Sequence, residues 1–123
     1  LIDIDYFKKV NDKYGHDVGD MVLVEFAQVL KNNIRDVDYL GRWGGEEFLL
    51  VCPKMEEEGI KKLAQKLQEK VEVSFFTQVA KMTASFGATV CSEDTTIKEL
   101  IKNADVALYE SKNNGRNQVT FRR

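Results

Sequence analysis

The residues best suited to chemistry lie in two short stretches, Asp3-Ile4-Asp5 and Gly44-Gly45-Glu46-Glu47-Phe48. Two adjacent glycines separate two apolar, strand-like runs, and two carboxylates follow at once. Glycine lets a ligand approach the main chain closely. Paired acids beside such a backbone can hold the divalent ions that phosphoryl transfer uses. Asp3 and Asp5 are read as alternating to opposite faces of an extended segment, so that only one joins the hairpin acids. Asp3 is chosen for that part, because Asp5 can serve as N-cap of the following helix. Alone, Asp3 reads as a solvated strand-end acid.

The elements that would position these groups follow from periodicity. Leu1 to Ile4 ends a strand, and a short helix runs from Tyr6 to Tyr14, stopped by Gly15. A second helix spans Gly19 to Ile34, with Val22, Leu23, Phe26, Leu30 and Ile34 on one face. Tyr39–Trp43 and Phe48–Cys52 form a hairpin across the glycines. A third helix carries Ile60, Leu63, Ala64, Leu67 and Val71 as one stripe. Met82 to Val90 is a strand. A fourth helix, marked by Ile97, Leu100, Ile101, Ala104 and Leu108, stops at Asn113-Asn114-Gly115, and Gln118–Phe121 is a last strand. The order β-α-α-β-β-α-β-α-β with a central hairpin excludes a purely parallel sheet. It predicts an α+β fold: a mixed, largely antiparallel sheet flanked by helices on one face, close to the split βαβ, ferredoxin-like pattern.

Further candidates surround this frame. The amides near Phe7 and Lys8 open a helix and suit phosphate oxygens. Lys112 and Arg116 read either as helix-end cations favoured by the dipole or as a pair reaching a triphosphate; spacing alone leaves both open. His16, the only histidine, sits in a loop and suits a structural hydrogen bond better than zinc.

Bulk properties narrow the function classes. The chain has 123 residues, 18 basic and 20 acidic, for a net charge of −2, so it offers no basic field for a nucleic-acid polymer. No apolar run approaches a membrane span. Cys52 and Cys91 lie in apolar contexts without a C-x-x-C motif and are expected to be free, buried thiols in a reducing compartment. A single domain over residues 1–123 is expected, located in the cytoplasm, with any membrane anchor of the parent protein outside it. Because the chain opens at Leu1 inside an apolar run, it is expected to be a fragment.

Taken together, these residues resemble the GGDEF family, the bacterial diguanylate cyclases. Asp3-Ile4-Asp5-Tyr6-Phe7-Lys8 is similar to D-x-D-x-F-K. Asn11-Asp12 and Gly15-His16-Asp17-Val18-Gly19-Asp20 match N-D…G-H-x-x-G-D. Gly44–Phe48 matches GG[DE]EF in its glutamate form, and Ser85-Phe86-Gly87 resembles S-x-G. Ala104-Asp105-Val106-Ala107-Leu108-Tyr109 and Lys112-x-x-Gly115-Arg116-Asn117 match A-D-x-A-L-Y…K-x-x-G-R-N. Ser111 stands where alanine is usual, and Trp43 where a smaller residue is common. The family's N-terminal D-x-L-T stretch, helix and strand start are missing.

The resemblance implies the palm fold of nucleotidyl cyclases. It implies condensation of two GTP into cyclic di-GMP with release of two pyrophosphates, at a site split between the two halves of a homodimer. Asp3 and Glu46, with the Ile4 carbonyl, would bind two Mg²⁺ (or Mn²⁺). Either Glu46 or Glu47 would assist loss of the ribose 3′-OH proton. Asn11 and Asp20 would read guanine, whose donors a carboxylate distinguishes from adenine. Main-chain groups at Phe7 and Lys8, with Lys112 and Arg116, would hold the β- and γ-phosphates, and Gly44 and Gly45 would line the substrate. Arg35-Asp36-Val37-Asp38 fits the family's R-x-x-D product-inhibition site, five residues ahead of the glycines. Its plain alternative is a surface i,i+3 ion pair at a helix end. A non-catalytic module binding GTP or cyclic di-GMP within a sensor is the competing function. The intact Asp3, Glu46 and Glu47 rank it second.

Overall fold

The computed structural model describes residues 1–123. Its elements are β1 (Ile2–Ile4), α1 (Phe7–Tyr14), α2 (His16–Lys31), β2 (Tyr39–Gly44), β3 (Glu47–Val51), α3 (Glu57–Val73), β4 (Ala84–Ala88), α4 (Ile97–Asn113) and β5 (Val119–Phe121). The five strands form one sheet in the order β2-β3-β1-β4-β5. β1 pairs antiparallel with both β3 and β4, and β2 with β3. Only β4 and β5 run parallel, joined through α4 as a parallel pair requires. The mixed, mostly antiparallel α+β fold matches the order read from periodicity.

The sheet is covered on both faces, not one. Ile2, Ile4, Phe48, Ala84 and Phe86 share a core with Val10 of α1, Val22, Phe26 and Leu30 of α2, and Leu67 and Val71 of α3. The Phe26 and Phe48 rings meet at 5.4 Å. On the opposite face Leu1 and Leu49 pack against Ala104 and Leu108 of α4. Gly87 fixes that second layer: a Cβ there would lie 2.2 Å from the Ala104 carbonyl oxygen and 2.3 Å from the Leu108 nitrogen. A strand buried on both sides loses its apolar–polar alternation, as Ala84 to Gly87, all buried, illustrate. The stripe on α4 therefore belongs to a second core, which a one-sided reading of the helices overlooks.

Boundaries shift where single residues decide them. Gly15, at φ 90°, serves both as C-cap of α1 and as N-cap of α2. The second helix thus starts three residues early, and His16 is its exposed first residue, not part of a loop. The hairpin turn is Gly45-Glu46, with Gly44 paired to Glu47 after a bulge at Trp43. Both cysteines are free, but neither is buried: Cys52, directly after β3, is half-buried, and Cys91, three residues past the end of β4, is exposed. Ser111, the departure from alanine, is buried. Its hydroxyl donates to the Phe86 carbonyl at 2.8 Å and lies 2.7 Å from Thr120 Oγ1, so α4 is tied to β4 and β5 there.

Candidate active site

The central strand β1 brings the acidic stretches together. Asp3 lies directly across from Glu47 on β3, and the Ile4 amide donates to the Glu46 carbonyl at 3.3 Å. Cross-strand neighbours present their side chains to one face, so Asp3 and Glu47 share a side of the sheet. α4 covers that side, and Lys112 from its last turn donates to Asp3 Oδ2 at 2.6 Å. Asp3 is 5% exposed. Burial raises its pKa, the Lys112 bond lowers it, and the charges of Glu46 and Glu47 raise it again; the balance lies above the ordinary 3.8. Asp3 thus pairs with one ammonium while two further carboxylates lie close enough for their charge to act on it.

That excess of hard, anionic oxygen suits a divalent cation such as Mg²⁺ or Mn²⁺. The donors fit it in kind, although no three His, Cys, Asp or Glu side chains already stand together as a chelating cluster. Gly44 and Gly45 border the same place. A Cβ on either would meet nothing within 4 Å, so protein packing does not demand glycine at Gly44, and the space beside both is open to a ligand. Gly45, at φ 50°, also needs glycine for its conformation.

Asp5 departs from its expected role. It does not cap α1: the N-cap is Tyr6, in a left-handed conformation without a side-chain cap bond. Nor does it face away from Asp3. Residues two apart on an extended chain share a face, and Asp5 accepts from Ser85 Oγ at 2.6 Å, Ser85 being the residue opposite Asp3 on β4. Asp5 is buried at 2% exposure and also accepts from Thr83 Oγ1 at 2.7 Å and the Asn117 amide at 2.9 Å.

The start of α1 gathers the remaining phosphate candidates. With no side chain capping the helix, the donors around Phe7 and Lys8 keep their capacity for a ligand. The Phe7 side chain is buried in the core and Lys8 is exposed. The Arg116 guanidinium carbon lies 4.9 Å from the Tyr6 ring centroid, which brings it to this helix start. Asn11 and Asp20 are neighbours through Gly19. A Cβ at Gly19 would sit 1.9 Å from Asn11 Oδ1, so α1 and α2 touch there and the Asn11 amide lies over the backbone just before Asp20, which is exposed.

Arg35 and Asp38 form a separate site between α2 and β2. The Arg35 amide donates to Asp38 Oδ2 at 2.8 Å, its Nη2 to Asp38 Oδ1 at 2.8 Å, and Nη2 also to the Pro53 carbonyl at 2.9 Å. The Asp38 side chain is fully buried and that of Arg35 is 45% exposed. This is no surface pair on a helix, because α2 has ended at Lys31. A cavity of about 440 Å³ beside it is bordered by Asn33, Lys62 and Lys66. Lys62 and Lys66 escape a reading by motif, because on α3 they look like ordinary helix-surface lysines. Burial of the neighbouring Cys52 pushes its thiol up to about 11.

Known proteins resemble the chain throughout. The family described as diguanylate cyclase, GGDEF domain, matches residues 1–118. Diguanylate cyclase A of Treponema denticola is 38% identical over 98% of this chain and 34% of its own length. The response regulator PleD of Caulobacter vibrioides is 41% identical over 97% of this chain and 28% of its own. The chain thus spans about a third of the curated relatives it matches. Among solved structures, the active GGEEF domain of a diguanylate cyclase from Vibrio cholerae superposes with a TM-score of 0.91 at 35% identity, covering 99% of this chain and 80% of that one. The GGDEF domain of DgcB from Caulobacter crescentus, solved in complex with c-di-GMP, gives 0.91 at 29% identity over 98% of this chain and 74% of that one. With its acids, glycines and basic residues gathered on that fold, the chain belongs to the GGDEF family of diguanylate cyclase domains.

Proposed function

We propose that the chain is the catalytic domain of a diguanylate cyclase, joining two GTP into cyclic di-GMP and releasing two pyrophosphates. The observation that carries this is the meeting of Asp3, Glu46 and Glu47 with Lys112 around β1. Asp3, Glu46 and the Ile4 carbonyl would hold Mg²⁺ or Mn²⁺. Bound there, the cations would stabilise charge on the attacking and leaving oxygens. Asp20 accepts from the N–H donors of the guanine edge, and the Asn11 amide, which can donate as well as accept, meets the same base. The amides at Phe7 and Lys8 receive phosphate oxygens, with Arg116 and Lys112 as cations.

The ribose 3′ oxygen of one nucleotide attacks the α-phosphorus of the other. The new O–P bond forms as the bond to pyrophosphate breaks, and the 3′-OH proton passes to Glu46 or Glu47. Each chain holds one GTP, so two chains must face one another and a homodimer is the working unit. Nothing in this scheme calls for a covalent nucleophile or a nucleic-acid partner. No helix is long and apolar enough to cross a membrane.

Arg35, held in place by the buried Asp38, would bind the product and slow the enzyme. The exposed guanidinium edge suits phosphate or guanine, and the nearby Lys62 and Lys66 add charge for a doubly anionic ligand. The test is incubation of the chain with GTP and Mg²⁺, followed by chromatographic detection of cyclic di-GMP, with Glu47→Ala alongside. Synthesis by the wild type alone is expected; undiminished synthesis by the variant would contradict the assigned chemistry.

A further inference from the structure

Three of the five non-glycine residues with positive φ converge on one spot: Tyr6 (57°), Arg116 (62°) and Asn117 (50°). Left-handed backbone at such residues persists only where the surroundings over-determine it, and it collects at ligand clamps. Here the surroundings are visible. The Asn117 amide donates to Asp5 at 2.9 Å, Asn117 Oδ1 accepts from Gln68 at 2.7 Å, and Nδ2 donates to Glu72 at 2.5 Å. The Arg116 amide donates to the Ser111 carbonyl at 2.9 Å, and its own carbonyl accepts from Gln118 at 3.0 Å. Asp5 and Gln68 are both buried. Asp5 meets three donors (Thr83 Oγ1, Ser85 Oγ and the Asn117 amide) and no cation.

We infer that Asp5 and Asn117 are positioning residues, a buried carboxylate-to-amide latch that aims the Arg116 guanidinium across Tyr6 at the start of α1. The latch joins three parts of the chain: the β1–α1 junction through Asp5, β4 and its approach through Ser85 and Thr83, and α3 through Gln68 and Glu72. Between them the loop after α4 has little freedom, so Arg116 is held before any ligand arrives. Preorganisation of this kind adds affinity by removing an ordering cost from binding. The inference rests on the proposed reading that Arg116 grips the terminal phosphates of GTP. It adds that this grip depends on side chains that touch no nucleotide.

The discriminating variant is Asn117→Gly. It keeps the positive φ and the amide bond to Asp5 but removes the side-chain anchors to Gln68 and Glu72. By calorimetry with Mg²⁺, α,β-methylene GTP should bind about ten-fold more weakly, as expected for coupled neighbours. GMP, which lacks the terminal phosphates, should change less than about two-fold, within the error of additivity. The ten-fold loss should vanish in an Arg116→Ala background. Asp5→Asn retains an acceptor for the Asn117 amide and should keep affinity, whereas Asp5→Leu should lose it. Equal weakening of both nucleotides, or a loss that persists without Arg116, would overturn the latch.

The free protein supplies a readout independent of nucleotide. The Arg116 Nε–H resonance should be single and dispersed in the wild type and averaged in Asn117→Gly. An unchanged Arg116 signal would overturn the latch even if GTP binds. Failure of the wild type to bind either nucleotide, with the resonance behaving as expected, would instead remove the GTP reading and leave the latch standing.

Discussion

Asp38 and Asp3 make an instructive comparison, because each is a buried carboxylate held by one basic side chain, Arg35 at 2.8 Å and Lys112 at 2.6 Å. Burial raises the pKa of both, yet the outcomes differ. For Asp38 the side-chain and main-chain bonds from Arg35 outweigh burial and leave the carboxyl below its ordinary value. For Asp3 a single lysine bond does not outweigh burial, and Glu46 and Glu47 press from the side. The first pair is local, three residues apart, with the guanidinium donating twice to Oδ1 and the Arg35 amide to Oδ2, so that both oxygens are satisfied. The second ties strands to a helix 109 residues away through one compact ammonium. A satisfied carboxylate is a scaffold that frees the outer edge of its arginine for a ligand. An unsatisfied one, crowded by its own sign, is a place prepared for added positive charge.

The largest expected effect tests that distinction directly. Asp3→Asn should lower the rate of cyclic di-GMP formation by about 100-fold or more, the scale on which removing one electrostatic stabiliser acts, while Asp38→Asn should retain the basal rate. Equal losses in the two variants would erase the contrast. Next in size, Arg35→Ala should relieve product inhibition, raising the inhibitory concentration of cyclic di-GMP by about ten-fold, as loss of one charge-assisted hydrogen bond does. Unchanged inhibition would remove Arg35 from the second site. A smaller effect is thermal: Mg²⁺ without nucleotide should raise the melting temperature of the wild type by mass action but not that of Asp3→Asn. A rise of the same size in both would move the cation elsewhere.

The sequence carried the order of elements and the identity of the acids, because helical stripes such as Val22, Phe26 and Leu30 and the Gly-Gly hairpin are local signals. It did not carry the second core layer. Gly87 reads as one more strand residue until α4 is seen lying on it. Asp5 differs from its expected role on two counts: residues two apart share a face, and its three donors come from distant segments that no local pattern names. Asn117 was legible only as the end of a motif, since its anchors Gln68 and Glu72 sit 49 and 45 positions away. Lys62 and Lys66 were invisible for the same reason, as a cavity joins them to Arg35 where the chain does not.

The finest test of the comparison is its dependence on pH. The folded pKa of Asp38 lies below the ordinary 3.8, so its contribution to stability is complete above that value and is lost as pH falls through the folded pKa. The folded pKa of Asp3 lies above 3.8. There the native state binds the proton more tightly than the unfolded one, and stability declines as pH rises from 3.8 through the folded value. Carboxyl carbon resonances followed by NMR from pH 7 downward should therefore show Asp3 titrating before Asp38. Mg²⁺ should draw the Asp3 midpoint down and leave Asp38 where it was, because a cation nearby favours the ionised form and only one of the two carboxylates is free to accept it. An Asp3 midpoint below 3.8 without metal would mean that Lys112 alone satisfies the acid, and the case for a second cation beside β1 would fall with it.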